Sequence, residues 1–86
     1  MTISAKMQGG NRWVKNLVAG TKAIIKSEPE EQIDAIRLYS KMSIKFSISL
    51  GTARKYVRMM QYADLVTIVG EEPYFIHEDK RKVILK

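Results

Sequence analysis

Residues 46–66 read Phe46-Ser47-Ile48-Ser49-Leu50-Gly51-Thr52-Ala53-Arg54-Lys55-Tyr56-Val57-Arg58-Met59-Met60-Gln61-Tyr62-Ala63-Asp64-Leu65-Val66. Ser49 is a good N-cap, because its hydroxyl can accept a bond from the amide of Gly51 or Thr52. Leu50, Ala53, Val57 and Met60 then recur at helical spacing as a stripe to bury, with Tyr56 beside it. Gly51, Arg54, Lys55, Arg58 and Tyr62 follow at i, i+3, i+4, i+7 and i+11, so they share the opposite face, and Thr52 sits at its edge. The spacing predicts a helix over about 49–62, apolar on one side and basic on the other. After Ala63-Asp64 the period changes from helical to extended.

Upstream, the apolar positions Ala35, Leu38, Tyr39, Met42 and Phe46 form a wide stripe, with Ile33, Ile36 and Ile44 on its flank. A stripe that wide is expected of a helix buried between neighbours, either one long helix from Glu31 or two short ones broken near Leu38. Ser27-Glu28-Pro29-Glu30 reads as its start: Ser27 and Glu30 match the S-x-x-E capping box, and Pro29 suits the first turn. This gives the acidic cluster at Glu28, Glu30 and Glu31 a structural explanation without paired-carboxylate catalysis. Further back, Asn11 is an N-cap candidate, followed at helical spacing by Trp13, Val14, Leu17, Val18, Thr21, Ile24 and Ile25. Gly20 costs that helix up to ~1 kcal/mol relative to Ala, so it either weakens the case for a helix there or marks close approach by a neighbour. Residues 1–10 end in Gly9-Gly10 without sustained periodicity and read as a flexible arm, leaving residues 11–86 as one domain.

Downstream, Leu65-Val66-Thr67-Ile68-Val69 is short and β-branched, Gly70 to Pro73 is a turn, and Tyr74-Phe75-Ile76-His77 is a second extended run. They predict a hairpin over about 65–77, stable only if it packs on the helices. Glu78-Asp79-Lys80-Arg81 is polar, and Val83-Ile84-Leu85 can add a last strand.

With 86 residues and 45% apolar composition, the chain supports one small core and is not a wholly disordered segment. The net charge of +6 is unevenly distributed. Residues 37–63 hold Arg37, Lys41, Lys45, Arg54, Lys55 and Arg58 without one acid, whereas residues 64–79 hold Asp64, Glu71, Glu72, Glu78 and Asp79 without one Lys or Arg. A cationic block of this kind is an electrostatic footprint suited to nucleic acid. His77 is the only His and there is no Cys, so one chain cannot build a zinc site from the usual ligands. No phosphate-cradling Gly-rich loop, nucleophile elbow or metalloprotease motif occurs. The expectation is therefore a protein that is not an enzyme, with no cofactor, no metal and no small-molecule ligand. No apolar run nears the roughly 20 residues of a membrane helix, and with no Cys a cytoplasmic location is expected.

Helix, helix, helix, hairpin resembles the winged helix-turn-helix DNA-binding family, whose members commonly show L-A-x-x-h-G-V-S-x-x-T-h-x-R-h-L-x-x-L-x-x-x-G-L-h, with h apolar. The run from Met42 to Val66 aligns with that pattern, and the element order extends the likeness over about residues 30–77. Ser47 and Asp64 stand where family members usually have Gly. The fold class this resemblance implies is α+β, a small three-helix winged helix-turn-helix with a C-terminal β-hairpin. It also implies that the 49–62 helix enters the major groove of double-stranded DNA as the recognition helix, most simply in a homodimeric transcriptional regulator. Ser49, Gly51, Thr52 and Lys55 align with positions that commonly touch phosphates or base edges, Arg54 and Arg58 lie on or near that face, and Lys41 and Lys45 are further candidates for phosphates. The stripe from Trp13 to Ile25 reads first as core, with a dimer seam as the alternative, because N-terminal helices of small DNA-binding domains often pair. The supposed wing tip, Gly70-Glu71-Glu72-Pro73, is acidic where a phosphate-contacting wing is normally basic, so this wing is expected to stay off DNA or to face a protein. Two alternatives share the residues: a winged-helix protein-interaction module, and a plasmid or viral replication or partition protein.

Overall fold

Gln32–Asp34 forms a strand, β1, where the sequence suggested the first turns of a helix. The chain is turned into it by Pro29–Glu31, a single 3-10 turn in which Glu30 and Glu31 both take positive φ, 59° and 53°. The expected capping box is not made. Ser27 Oγ instead donates back to the Ile24 carbonyl at 2.7 Å, and Glu30 accepts from Gln32 Nε2 at 2.8 Å. Ile33 is thereby placed in the sheet rather than on a helix flank, and it is buried against the core.

The structure, a computed structural model, describes the backbone of residues 2–86 and the side chains of residues 12–86. Around β1 stand α1 (Thr2–Lys26), α2 (Ala35–Phe46), α3 (Leu50–Tyr62), β2 (Val66–Val69) and β3 (Lys82–Leu85). The fold is α+β, three helices and a small antiparallel sheet of order β1-β3-β2. Val83 sits at its centre, opposite Ile33 on one side and Ile68 on the other. No helix among the described residues is long and apolar enough to cross a membrane.

Helix α1 begins at Thr2, not at an Asn11 cap, so the expected arm over residues 2–10 is helical backbone. A helix already nucleated further along extends without a second nucleation cost, and Gly9-Gly10 then adds only a propensity penalty of about 1 kcal/mol each. Its stripe packs as predicted in part: Leu17, Thr21 and Ile25 are buried, with the Thr21 hydroxyl donating to the Leu17 carbonyl at 2.7 Å. Trp13 remains 43% exposed and meets Tyr56 edge-on, with ring centroids 5.5 Å apart. The Leu17–Ile25 stripe faces the chain's own core, so a seam between copies would have to be built on Trp13 and its exposed neighbours.

One continuous helix, α2, resolves the question of one helix or two, and it buries Ala35, Leu38, Tyr39 and Met42. These meet Ala53, Val57 and Met60 of α3 and Val66 and Val83 of the sheet in a single core, where each fully buried large side chain contributes about 1.5–3 kcal/mol. Leu50, expected in that stripe, is 41% exposed instead. Gly20 does mark a close approach: a Cβ there would stand 2.6 Å from Phe46 Cζ at the end of α2. A Gly20→Val variant should therefore lose about 1–3 kcal/mol in urea denaturation, since the added branch overpacks the α1–α2 contact. Unchanged stability would show that the Phe46 ring moves aside at no cost.

The second extended run is not a strand. Tyr74 and Phe75 lie in an exposed bend and Ile76–Glu78 forms a 3-10 turn, so the partner of β2 is β3. Only Ile76 of that run reaches the core, whereas Val83 is fully buried and pairs on both sides. The hairpin is thus β2, a long loop over 70–81, and β3, and it reaches beyond the expected limit at residue 77.

Candidate nucleic-acid interface

Two left-handed residues set α3 in place. Ser47, the C-cap of α2, has φ 54° and ψ 47°, and Asp64, just after α3, has φ 66°. Both therefore supply the backbone conformation that glycine supplies most cheaply, and Asp tolerates it better than most residues. The turn after α2 is closed by the Ile48 amide donating to the Ser43 carbonyl at 3.3 Å and by Ser43 Oγ donating to the Ile48 carbonyl at 2.5 Å.

Ser49 caps α3 as its sequence position predicts, accepting from the Thr52 amide at 3.1 Å. Its own proton is directed to Thr52 Oγ1 at 2.9 Å, so Ser49 is committed to the cap while the Thr52 hydroxyl proton can point outward. The amides of Leu50 and Gly51 belong to the first turn, where no intrahelical acceptor exists, and the helix dipole there favours an anion. Gly51 is exposed, and a Cβ on it would find no neighbour nearer than Ser49 Oγ at 4.0 Å. Packing within the chain does not require this glycine; its effect is to leave the helix surface open to close approach from outside.

Arg54, Lys55 and Arg58 follow on the same face as Gly51 and line one shallow groove with it. Lys55 is exposed and in no ion pair among the described side chains. Both arginines are engaged. Arg54 Nη2 lies 3.5 Å from Glu72 Oε1, and Arg58 Nη2 donates to that same oxygen. The acidic tip of the 70–81 loop is therefore folded onto the basic face of α3. The sequence contained the signal for this contact in its complementary blocks of charge over residues 37–63 and 64–79.

The two cations expected from α2 are placed elsewhere. Lys41 Nζ is 3.5 Å from Glu28 Oε2, beside Arg37 at 2.6 Å from the other oxygen of that carboxylate. Lys45 lays its stem near Gly20 and Phe46, on the α1 side of the molecule. Of the eight candidates, Ser49, Gly51, Thr52, Arg54, Lys55 and Arg58 are brought together by α3, and Lys41 and Lys45 do not join them.

The loop that carries Glu72 is anchored by a buried polar cluster that the sequence reading missed. Asp79 receives Arg81 Nε at 2.9 Å, Arg81 Nη2 at 2.9 Å, the Arg81 amide at 3.1 Å and the Tyr39 hydroxyl at 3.0 Å. Burial and the Asp79 charge push the Tyr39 phenol up to about 12. Burial alone would raise the Asp79 carboxyl, but the bonds from Arg81 and Tyr39 outweigh it and hold that carboxyl below its usual range. The carboxylate in turn holds the Arg81 guanidinium above its ordinary value. Asp79-Lys80-Arg81 resembles any surface charge run in the sequence, and its only earlier signal was the run of apolar residues immediately after it.

Among the described residues, no group of three His, Cys, Asp or Glu side chains is placed to hold a metal ion. Comparison with known proteins found no matching family model, no matching curated protein and no matching solved structure.

Proposed function

We propose that the chain is a sequence-specific double-stranded DNA-binding domain of the winged helix-turn-helix type, with α3 as the element that enters the major groove. The observation that carries this reading is the Ser49-capped helix, which brings Gly51, Thr52, Arg54, Lys55 and Arg58 to one face with no acidic residue of its own. The tight turn at Ser47, the three helices and the following β2–β3 hairpin support it. Thr52 and Lys55 suit phosphate oxygens, and the Arg54 and Arg58 guanidinia can pair bidentately with guanine edges. A transcriptional regulator, or a replication or partition protein, would use the same chemistry, and a dimer would present two copies of α3 to successive half-sites.

Titration of the protein against a pool of random duplexes at two salt concentrations tests this. Affinity should fall steeply with salt, the logarithmic slope growing by about 0.9 for each phosphate neutralised. Absence of binding at low salt would overturn the reading. A second reading, a protein-interaction module, is favoured by one observation: Tyr74 is 90% exposed beside exposed Phe75, within a loop that also carries Glu71, Glu72 and Glu78. Exposed aromatics of this kind suit a protein partner better than a phosphate backbone.

A further inference from the structure

We infer that Glu72 is a built-in competitor for the ligand of α3, occupying in the unbound protein the position that a phosphate oxygen or another anionic acceptor would take. This rests on the DNA-binding reading above and adds a regulatory device to it. A single carboxylate oxygen, Glu72 Oε1, is shared by the guanidinia of Arg54 and Arg58. A carboxylate bridging two arginines uses the same charge-assisted donors that a bridging phosphate would use. The contact spans the groove lined by Gly51, Arg54, Lys55, Arg58 and Glu72, so it covers the candidate site itself.

The loop is built to let this contact open without unfolding the domain. At its start, Gly70 has φ +124° and packs so closely on Arg81 that a Cβ would lie 2.9 Å from Arg81 Cγ. At its end, Asp79 and Arg81 are buried, and Ile76 packs on the core. Between those fixed points Glu71 and Glu72 are exposed, outside any helix or strand. Of the two, only Glu72 makes an ion pair among the described side chains. An exposed ion pair is a weak tie, worth about 0.2–1 kcal/mol, so DNA carrying a high density of phosphate can displace it. The consequence is selectivity against weak anions: a ligand must supply enough phosphate or base contacts to Thr52, Lys55 and the two arginines to replace Glu72.

The test compares Glu72→Gln with Glu71→Gln, each against the same random duplex pool at two salt concentrations. Both variants lose one negative charge from the same loop, but only the first releases the arginines. Glu72→Gln should bind roughly 1.5- to 5-fold more tightly than wild type at low salt, and measurably more tightly than Glu71→Gln. The salt slope should stay near the wild-type value in both, because neither substitution adds a phosphate contact to the bound state. Equal gains in the two variants would overturn the competitor role and leave the DNA-binding reading standing. Binding by Glu72→Gln with none by wild type would be the strongest support, and binding by neither would overturn both. Circular dichroism of each variant guards against a folding defect, and Glu72→Ala provides a second substitution with the same expected gain.

Discussion

Asp79→Asn should destabilise the protein by about 3–5 kcal/mol, the cost of leaving one member of a buried ion pair uncompensated. Arg81 is 8% exposed and Asp79 3%, so neither charge has ready access to solvent. The variant keeps a side chain of the same shape and one acceptor oxygen, but the guanidinium loses its counter-charge and the Tyr39 hydroxyl loses a charged acceptor. Against a domain stability that is typically about 5–15 kcal/mol, this is a large loss for a single polar substitution. Tyr39→Phe should cost less, about 1.5–3 kcal/mol, because it deletes one bond to a charged group while the Asp79–Arg81 pair survives. Equilibrium urea unfolding of the two variants measures both. A loss under 1 kcal/mol for Asp79→Asn would mean that Arg81 swings into solvent, and the account of the loop anchor would fail.

The same cluster fixes two limits of pH. The Asp79 carboxyl is held below its usual range, so its contribution is fully present above the unfolded value near 4. It is lost as pH falls through the lower folded value. Tyr39 is displaced the other way, to about 12, so its contribution is complete below the unfolded value near 10 and disappears as pH rises through 12. Stability should accordingly decline below pH 4 and again above pH 10. Tyr39→Phe should remove this residue's share of the alkaline decline, leaving that due to other groups.

The α3 region was legible because its information is local. The N-cap at Ser49, the stripe of Ala53, Val57 and Met60, and the opposite face from Gly51 to Arg58 all follow from spacing within one helix, and each is found where expected. The left-handed turns at Ser47 and Asp64 were legible by position rather than by residue type. What was missed depends on partners distant in sequence. Gln32–Asp34 is too short to show a period, and it becomes a strand only because Val83, some fifty residues later, pairs with Ile33. Tyr74-Phe75-Ile76-His77 has the composition of a strand, yet β3 takes the place beside β2, which leaves Tyr74 in solvent. The capping box at Ser27 and Glu30 failed for a related reason: β1 pairs with β3 before α2 can begin, so the chain turns through positive φ instead. Net charge by segment marked an acidic loop and a basic helix without joining them, and only geometry paired Glu72 with Arg54 and Arg58.

The decisive substitution for function is the double change Arg54→Glu, Lys55→Glu. On the DNA-binding reading it should lower duplex affinity by about 100-fold or more at low salt, since Arg54 would be lost at ~1–3 kcal/mol from a base contact, Lys55 would no longer neutralise a phosphate, and two carboxylates would be added to the proposed contact face. The salt slope should fall by about 0.9 for the lost Lys55 phosphate contact, with repulsion by the new carboxylates lowering it further. Glu is a good helix former and the buried side chains Ala53, Val57 and Met60 are untouched, so α3 should persist, with a stability loss of about 1 kcal/mol from the broken Arg54–Glu72 pair. Lys45→Glu is a control with half the change in net charge: it reverses one charge on α2, away from the α3 cluster, and should weaken binding by far less than the square root of the effect of the double change. If the double variant retains wild-type affinity, α3 is not the contact surface, whatever its charge. If Lys45→Glu is as damaging as the double change, the protein binds DNA through its overall positive field and not through this helix. Unaltered capture of a protein partner by a double variant that no longer binds duplex would place the partner surface apart from Arg54 and Lys55.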